Sequence, residues 1–271
     1  MTKQIMHPGD AVEICRQIKN SNDRDFIYTG FRQLLSQLPM GFHDVTASTV
    51  WRARKVDEAQ PEGFEQITDI IYPPPQYAKS GRLNTEGMSI LYASISTHGC
   101  LAEIDAQPGD KVHVSAFTLI PERRLHCGFL GNIVMAYKWN SEDFSLVQKT
   151  LAPFSEAQKT SIFLIDSFLA EMLADSQAEE NNYLHTTVLA EVIRNGRNTL
   201  DAIVYPGVKS FGAKSYAIHC DAMLKFNIAD MHLVEITNRY PYGLYEWRHL
   251  KRVERYDNGR IVWKEPSCTN I

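Results

Sequence analysis

SGRLNTEGMSILYASISTHGCLAEIDA, residues 80–106, holds three structural signals in one stretch. Ser80–Gly87 is dense in turn formers and reads as a loop. Ser89–Ile95 (SILYASI) reads as a short strand, and Thr97–Ala106 as a short helix with Thr97 as its N-cap. A loop, a strand and a helix this short, in immediate succession, do not fit a regular βαβ repeat. They point to a mixed fold.

The neighbouring sequence supports that reading. Upstream, Thr49–Val56 alternates: Val50, Arg52, Arg54 and Val56 fall on one face, Trp51, Ala53 and Lys55 on the other. Before it, residues 9–19 and 23–38 have helical spacing through Ile14, Ile18, Phe26, Phe31, Leu34, Leu35 and Leu38, closed by Pro39 and Gly41. Residues 1–45 are therefore a helical N-terminal segment, expected to pack on the main domain, with a partner-binding arm as the alternative. Downstream, Lys111–Ile120 is a strand and residues 140–195 are mostly helical. There Ser155 and Gln158 form a capping box ahead of an amphipathic run through Ile162, Ile165, Phe168, Leu169, Met172 and Leu173.

Asp175–Asn182 reads as an exposed loop, and a second helix near Thr186–Arg194 stops at Asn195-Gly196. Asp201–Val208 (DAIVYPGV), Lys214–Cys220 and His232–Thr237 read as strands. VERYD and RIVWK flank Asn258-Gly259 as a hairpin. Helices and strands do not alternate regularly, which gives an α+β class rather than a doubly wound sheet. The expected organisation is a main domain over 46–271 with a helical insertion near 140–182.

Composition narrows the function classes. A net charge of −4 argues against a basic nucleic-acid footprint. The five cysteines, at 15, 100, 127, 220 and 268, are odd in number and form no CxxC pair, so they read as reduced thiols of a cytoplasmic protein with no zinc knuckle. The N-terminus lacks the apolar core of a secretory signal. The most apolar run, Ile162–Leu173, is broken by Asp166, Ser167 and Glu171, so no membrane span is expected. No GxGxxG, HExxH or GxSxG motif occurs. GVKSFGAKS (207–215) misses a phosphate loop because Ala213 stands where the lysine is required. The nine histidines are dispersed and force no metal reading.

What remains is a set of polar residues on a strand face, in a turn-rich loop, mid-strand and in a helix. Arg52 and Arg54 project from one face of a strand, where an unpartnered buried guanidinium is costly. Arg82 sits beside Gly81 in the loop, a setting in which backbone amides and a guanidinium fork can approach a phosphate. Tyr92 is mid-strand and Glu103 lies in the helix. Each of these has an ordinary reading when taken alone, as a surface ion pair, a core aromatic or a solvated helix residue.

In order and spacing, however, WRAR (51–54), GRLNTEG (81–87), ILYAS (90–94), LAEI (101–104) and DAIVYPGV (201–208) resemble the RES domain family across roughly residues 48–220. The resemblance implies an ADP-ribosyltransferase-like split β core with a cleft for NAD+. It also implies NAD+ degradation by phosphorolysis or hydrolysis and, in many members, a toxin's role with a cognate antitoxin as partner. It implies catalytic roles for Glu103 and Arg52 and nucleotide binding by Arg52, Arg82, Asn84, Tyr92 and the Gly207 position. Arg52 and Arg82 would hold the pyrophosphate, and Tyr92 would face the nicotinamide ribose. Leu83 departs mildly from the family's aromatic. Gly207 replaces the family serine, which favours one alternative to an NAD+-cleaving enzyme, a catalytically silent nucleotide-binding module; a protein mono-ADP-ribosyltransferase, differing only in the acceptor, is the other. Ser210, three residues on, is the candidate to compensate.

Overall fold

The computed structural model describes residues 5–39, 41–56, 60–139, 143–175, 178, 180, 182–196, 200–207, 209–210 and 212–264. Cys268, Val208 and parts of the 175–182 loop lie outside the described residues. The helices are α1 (Pro8–Lys19), α2 (Arg24–Leu35), α3 (Thr97–Glu103), α4 (Asn132–Trp139), α5 (Phe144–Leu151), α6 (Glu156–Ala174) and α7 (Leu184–Gly196). The strands are β1 (Phe42–Val45), β2 (Thr49–Lys55), β3 (Ile90–Ser94), β4 (Lys111–Leu119), β5 (Leu125–Phe129), β6 (Ala202–Pro206), β7 (Lys214–His219), β8 (Phe226–Tyr240), β9 (Leu244–Asp257) and β10 (Arg260–Lys264). Helices and strands mix without regular alternation, so the chain is α+β. The chain divides into two compact units. One comprises Met1–His43, Lys79–Met88 and His126–Pro206, the other Asp44–Ala78, Ser89–Leu125 and Gly207–Ile271.

The first unit is mainly helical. Asp23 caps α2 by accepting from the amides of Asp25 and Phe26, and Ser155 and Gln158 cap α6 reciprocally, as the sequence signature requires. Gly30 of α2 lets α1 approach closely, since a Cβ there would stand 2.7 Å from Ile18 Cγ1. The N-terminal helices pack within this unit. The Ser161 hydroxyl donates to Met6 O at 2.7 Å, Lys19 pairs with Glu171 at 2.7 Å, and Arg24 pairs with Glu191. β5 and β6 run parallel, matching Gly128 to Ile203, and α4–α7 supply the crossover such a pair needs.

Asp166 of α6 reaches the start of α4 and accepts from Gly131 N (3.0 Å) and Val134 N (2.8 Å), satisfying amides that a helix cannot satisfy itself. Burial pushes its carboxyl up to about 6 against those bonds.

The second unit is a sheet in the order β7-β3-β2-β4-β8-β9-β10, whose neighbouring strands pair antiparallel. The period-2 alternation read in β2 divides two faces. Ala53, with Val112, Val114, Val234, Ile236 and the partly buried Trp51, packs against Cys100, Leu101 and Ala102 of α3. A separate cluster forms around Phe64, Ile70, Met231 and Ile261. His113 of β4 accepts the Phe64 amide at 2.8 Å through Nε2 and stacks edgewise on Trp263. The β9–β10 hairpin turns at Asn258 (φ 48°) and Gly259 (φ 82°), the left-handed pair that an Asn-Gly turn supplies.

Two expectations need correction. α3 is capped by Ser96, whose Oγ accepts the Gly99 amide at 3.0 Å, not by Thr97, which is the first helical residue. The strand expected over His232–Thr237 extends over Phe226–Tyr240, because β4 and β9 pair along its length. β1, β5 and α4 are additional elements that local pattern does not announce.

Candidate functional site

The second unit gathers Arg52, Tyr92 and Glu103 through the junction of β2, β3 and α3. β2 and β3 pair at a single position, Trp51 with Ser94. One residue further along β2, Arg52 sends NH1 to Tyr92 O at 3.2 Å. Its Nε is buried without a hydrogen-bond partner, and Arg52 makes no ion pair among the described residues. Burial, with the Arg54 cation nearby, lowers the guanidinium to about 10, so it stays charged at neutral pH. Arg54, on the same face of β2, is occupied differently: it donates to Asp69 O and lies 4.3 Å over the Phe64 ring. Of the two arginines, Arg52 is thus the one with an unmet demand for an anion.

Glu103 is the last residue of α3, partly buried, and its Oε1 accepts from Ser215 Oγ at 3.3 Å. Ser215, almost fully buried, lies on β7 opposite Ser94 of β3. α3 sits close on β3 because Gly99 has no side chain, a Cβ there lying 2.1 Å from Ser94 Oγ. Burial pushes the nearby Cys100 thiol far above its ordinary range. Ser215 and Ser94 were not among the residues the sequence singled out. Ser215 stands 112 positions from Glu103, and no local signal links them.

Gly207 donates its amide to Ala213 O at 2.7 Å, closing the loop that leads into β7. A Cβ at 207 would stand 3.1 Å from both Ala213 O and Ser210 Oγ.

Arg82 and Asn84 belong to the first unit. Arg82 NH1 donates to Leu173 O (2.8 Å) and Asp175 O (2.7 Å), the carbonyls that end α6. The buried Asn84 spends its amide nitrogen on the carbonyls of Lys79, Thr85 and Met88, at 2.8–3.2 Å. These two candidate nucleotide ligands shape their own loop and cap a helix. Leu83, in the family's aromatic position, is fully buried and its carbonyl accepts from Arg194.

Two concavities of the structure lie apart from these residues. A cavity of about 420 Å³ in the first unit is lined by Leu38, Phe42, Phe129 and Ile193 among others, but not by Arg82 or Asn84. A groove of about 790 Å³ in the second unit runs along Asp230, His232, His249 and Arg252, away from Arg52 and Glu103 in the lining.

The RES domain model matches residues 49–242, which spans β2 through β8 and includes Arg52, Arg82, Asn84, Tyr92, Glu103 and Gly207. The chain belongs to the RES domain family. The family match begins where β2 begins, so α1, α2 and β1 lie ahead of it, and the β9–β10 hairpin follows it. A search of the curated proteins found no match. Among the described residues, no helix is long and apolar enough to cross a membrane.

Proposed function

We propose that this RES domain binds NAD+ and cleaves the bond between its nicotinamide and ribose. The observation that supports this most is Arg52: a buried cation with an unpartnered Nε, one residue past the only β2–β3 pair, in the unit that also holds Glu103. A buried guanidinium in that state gains from a bound anion, and a diphosphate supplies one that can take two N–H groups at once. The split between β2 and β3 also fits an ADP-ribosyltransferase-like core with NAD+ in its cleft.

The chemistry follows from the substrate. The C1′–N bond breaks and its electron pair leaves with nicotinamide, which becomes neutral. Positive charge passes to the ribose as an oxocarbenium-like centre. A fixed carboxylate at Glu103, held by Ser215, stabilises that charge and accepts a hydrogen bond from a ribose hydroxyl. An oxygen of phosphate or water then bonds to C1′, and its proton is released. Phosphate gives ADP-ribose 1″-phosphate, and water gives ADP-ribose. The family relationship supports a toxin's role with a protein antitoxin as partner, in the cytoplasm, and no metal is called for.

Gly207 favours a second reading, a nucleotide-binding module without turnover. Nicotinamide release from purified protein, measured with and without phosphate, separates the two. Release establishes cleavage and names the acceptor. Tight NAD+ binding without release establishes the silent module. ADP-ribose found on protein rather than free in solution would instead make the chain a mono-ADP-ribosyltransferase.

A further inference from the structure

The groove of about 790 Å³ on the second unit is built mostly beyond the family match, by β9 and β10 beside β8. Its volume falls in the range of small-molecule sites, roughly 300–1,000 Å³. Strand register sets its charge. His232 of β8 pairs with Arg252 of β9, and Arg252 pairs in turn with Lys264 of β10. Residues directly opposite one another share a face of the sheet, so these three form a row across it. Arg252 and Lys264 are like charges in opposed positions, an arrangement that costs stability unless an anion lies between them. Two further cations line the groove but are taken: Lys251 pairs with Glu62 at 2.6 Å and Arg255 with Glu254 at 3.2 Å. Lys264 makes no ion pair among the described residues.

Asp230 organises the row. Its Oδ2 accepts from Arg252 NH2 and from His232 Nε2, each at 3.0 Å, and its Oδ1 accepts the Met231 amide at 2.8 Å. With a proton on Nε2, the neutral His232 ring keeps a lone pair on Nδ1. That Nδ1 is buried without a hydrogen-bond partner among the described residues, and so is the hydroxyl of Tyr256, which lines the same groove. Burial, and then the Asp230 charge, push the Tyr256 hydroxyl up to about 12, so it stays a donor. The His249 ring stands edgewise to His232, with centroids 4.8 Å apart, and burial, then His232 and Arg252, lower its pKa. The groove thus combines an unmet acceptor, an unmet donor and positive charge, in a chain whose net charge is −4.

We propose that this groove binds a phosphorylated sugar, at a site separate from Glu103. The phosphoryl group lies between Arg252 and Lys264 and accepts from the Tyr256 hydroxyl. A sugar hydroxyl donates to His232 Nδ1. As the two side chains close on the ligand, they turn these atoms into the groove that both already line. A fully ionised phosphate alone offers only acceptors and leaves the histidine unmet. A metal ion, which could also take the lone pair, is repelled by Arg252 and Lys264 beside it. The site stands whether or not the Glu103 site turns over NAD+.

Titration calorimetry on the full chain with ribose 5-phosphate and with inorganic phosphate tests this. The proteins are wild type, Tyr256→Phe, Lys264→Gln and Arg52→Met, with Tm measured on each. Ribose 5-phosphate is expected to bind wild type and Arg52→Met equally. Tyr256→Phe is expected to bind it about tenfold more weakly, with Tm level or raised, because an unsatisfied buried hydroxyl has been removed. Lys264→Gln is expected to weaken binding several-fold and to lessen its dependence on salt. Phosphate alone is expected to bind about tenfold more weakly than the sugar phosphate, since only the sugar meets His232. No binding by wild type overturns the proposal. So does binding that is lost in Arg52→Met, which would put the ligand in the Glu103 site. Equal affinity in Tyr256→Phe and wild type, a loss in Tyr256→Phe that tracks a fall in Tm, or phosphate binding as tightly as ribose 5-phosphate would each overturn it as well.

Discussion

Lowering the pH should destabilise this protein through one histidine. His113 of β4 is almost completely buried, and its Nε2 accepts the Phe64 amide at 2.8 Å, which fixes the neutral ring with its proton on Nδ1. Protonation would place an N–H against an N–H beside Arg54, its cross-strand neighbour. Burial first, and Arg54 second, pull its pKa from 6.5 down to about 4. The unfolded chain takes up the proton at 6.5 and the folded chain only at about 4, so falling pH favours unfolding. The stabilising contribution is whole above pH 6.5 and is lost as pH drops through 4. At about 1.36 kcal/mol per pH unit the gap is worth about 3 kcal/mol, a sizeable share of an ordinary domain's stability of roughly 5–15 kcal/mol.

Urea unfolding of wild type and His113→Gln between pH 7.5 and 3.5 measures it. The difference between the two stabilities should shrink by about 3 kcal/mol across that range, most steeply between 6.5 and 4. Parallel pH profiles would refute the argument.

Asp166 titrates in the opposite sense. Its raised value of about 6 means that stability present below the ordinary 3.8 is lost as pH rises through 6, so Asp166→Asn should flatten a decline worth about 3 kcal/mol. Gly99→Ala should push α3 off β3, costing about 1–3 kcal/mol and most activity, and a Ser94→Gly partner should recover part of both, read by Tm and nicotinamide release. Arg52→Met should raise the KM or Kd for NAD+ about 10- to 150-fold, from about 1.5–3 kcal/mol of lost charge-assisted bonding, while Tm holds or rises. Ser155→Ala removes only a cap and should cost about 1 kcal/mol with release unchanged.

What the sequence made legible was local. The capping box at Ser155 and Gln158, the Asn258-Gly259 turn and the alternation of β2 each depend on residues within a few positions of one another, and each lies where it was read. β5 escaped because LHCGF is half small or polar and pairs in parallel with β6, a partner that becomes adjacent only after four helices. α4 escaped because its start is held by Asp166, 32 and 35 positions away. Within the site, Arg52 and Glu103 were readable only through the order and spacing of the RES-like segments, since each alone has an ordinary reading. Ser215 was not readable as a contact, since it depends on long-range packing around β7. Arg82 and Asn84 show the converse, with polar side chains in a turn-rich loop satisfied by nearby carbonyls.

The central claim is that a carboxylate at Glu103 drives cleavage of NAD+, and one experiment tests it most directly. Nicotinamide release is followed by chromatography for wild type and Glu103→Gln at equal concentration, with matched thermal unfolding to establish that both are folded. The account predicts release by wild type and a loss of about 10²–10³-fold in the folded glutamine variant. Equal turnover in the two proteins would contradict it.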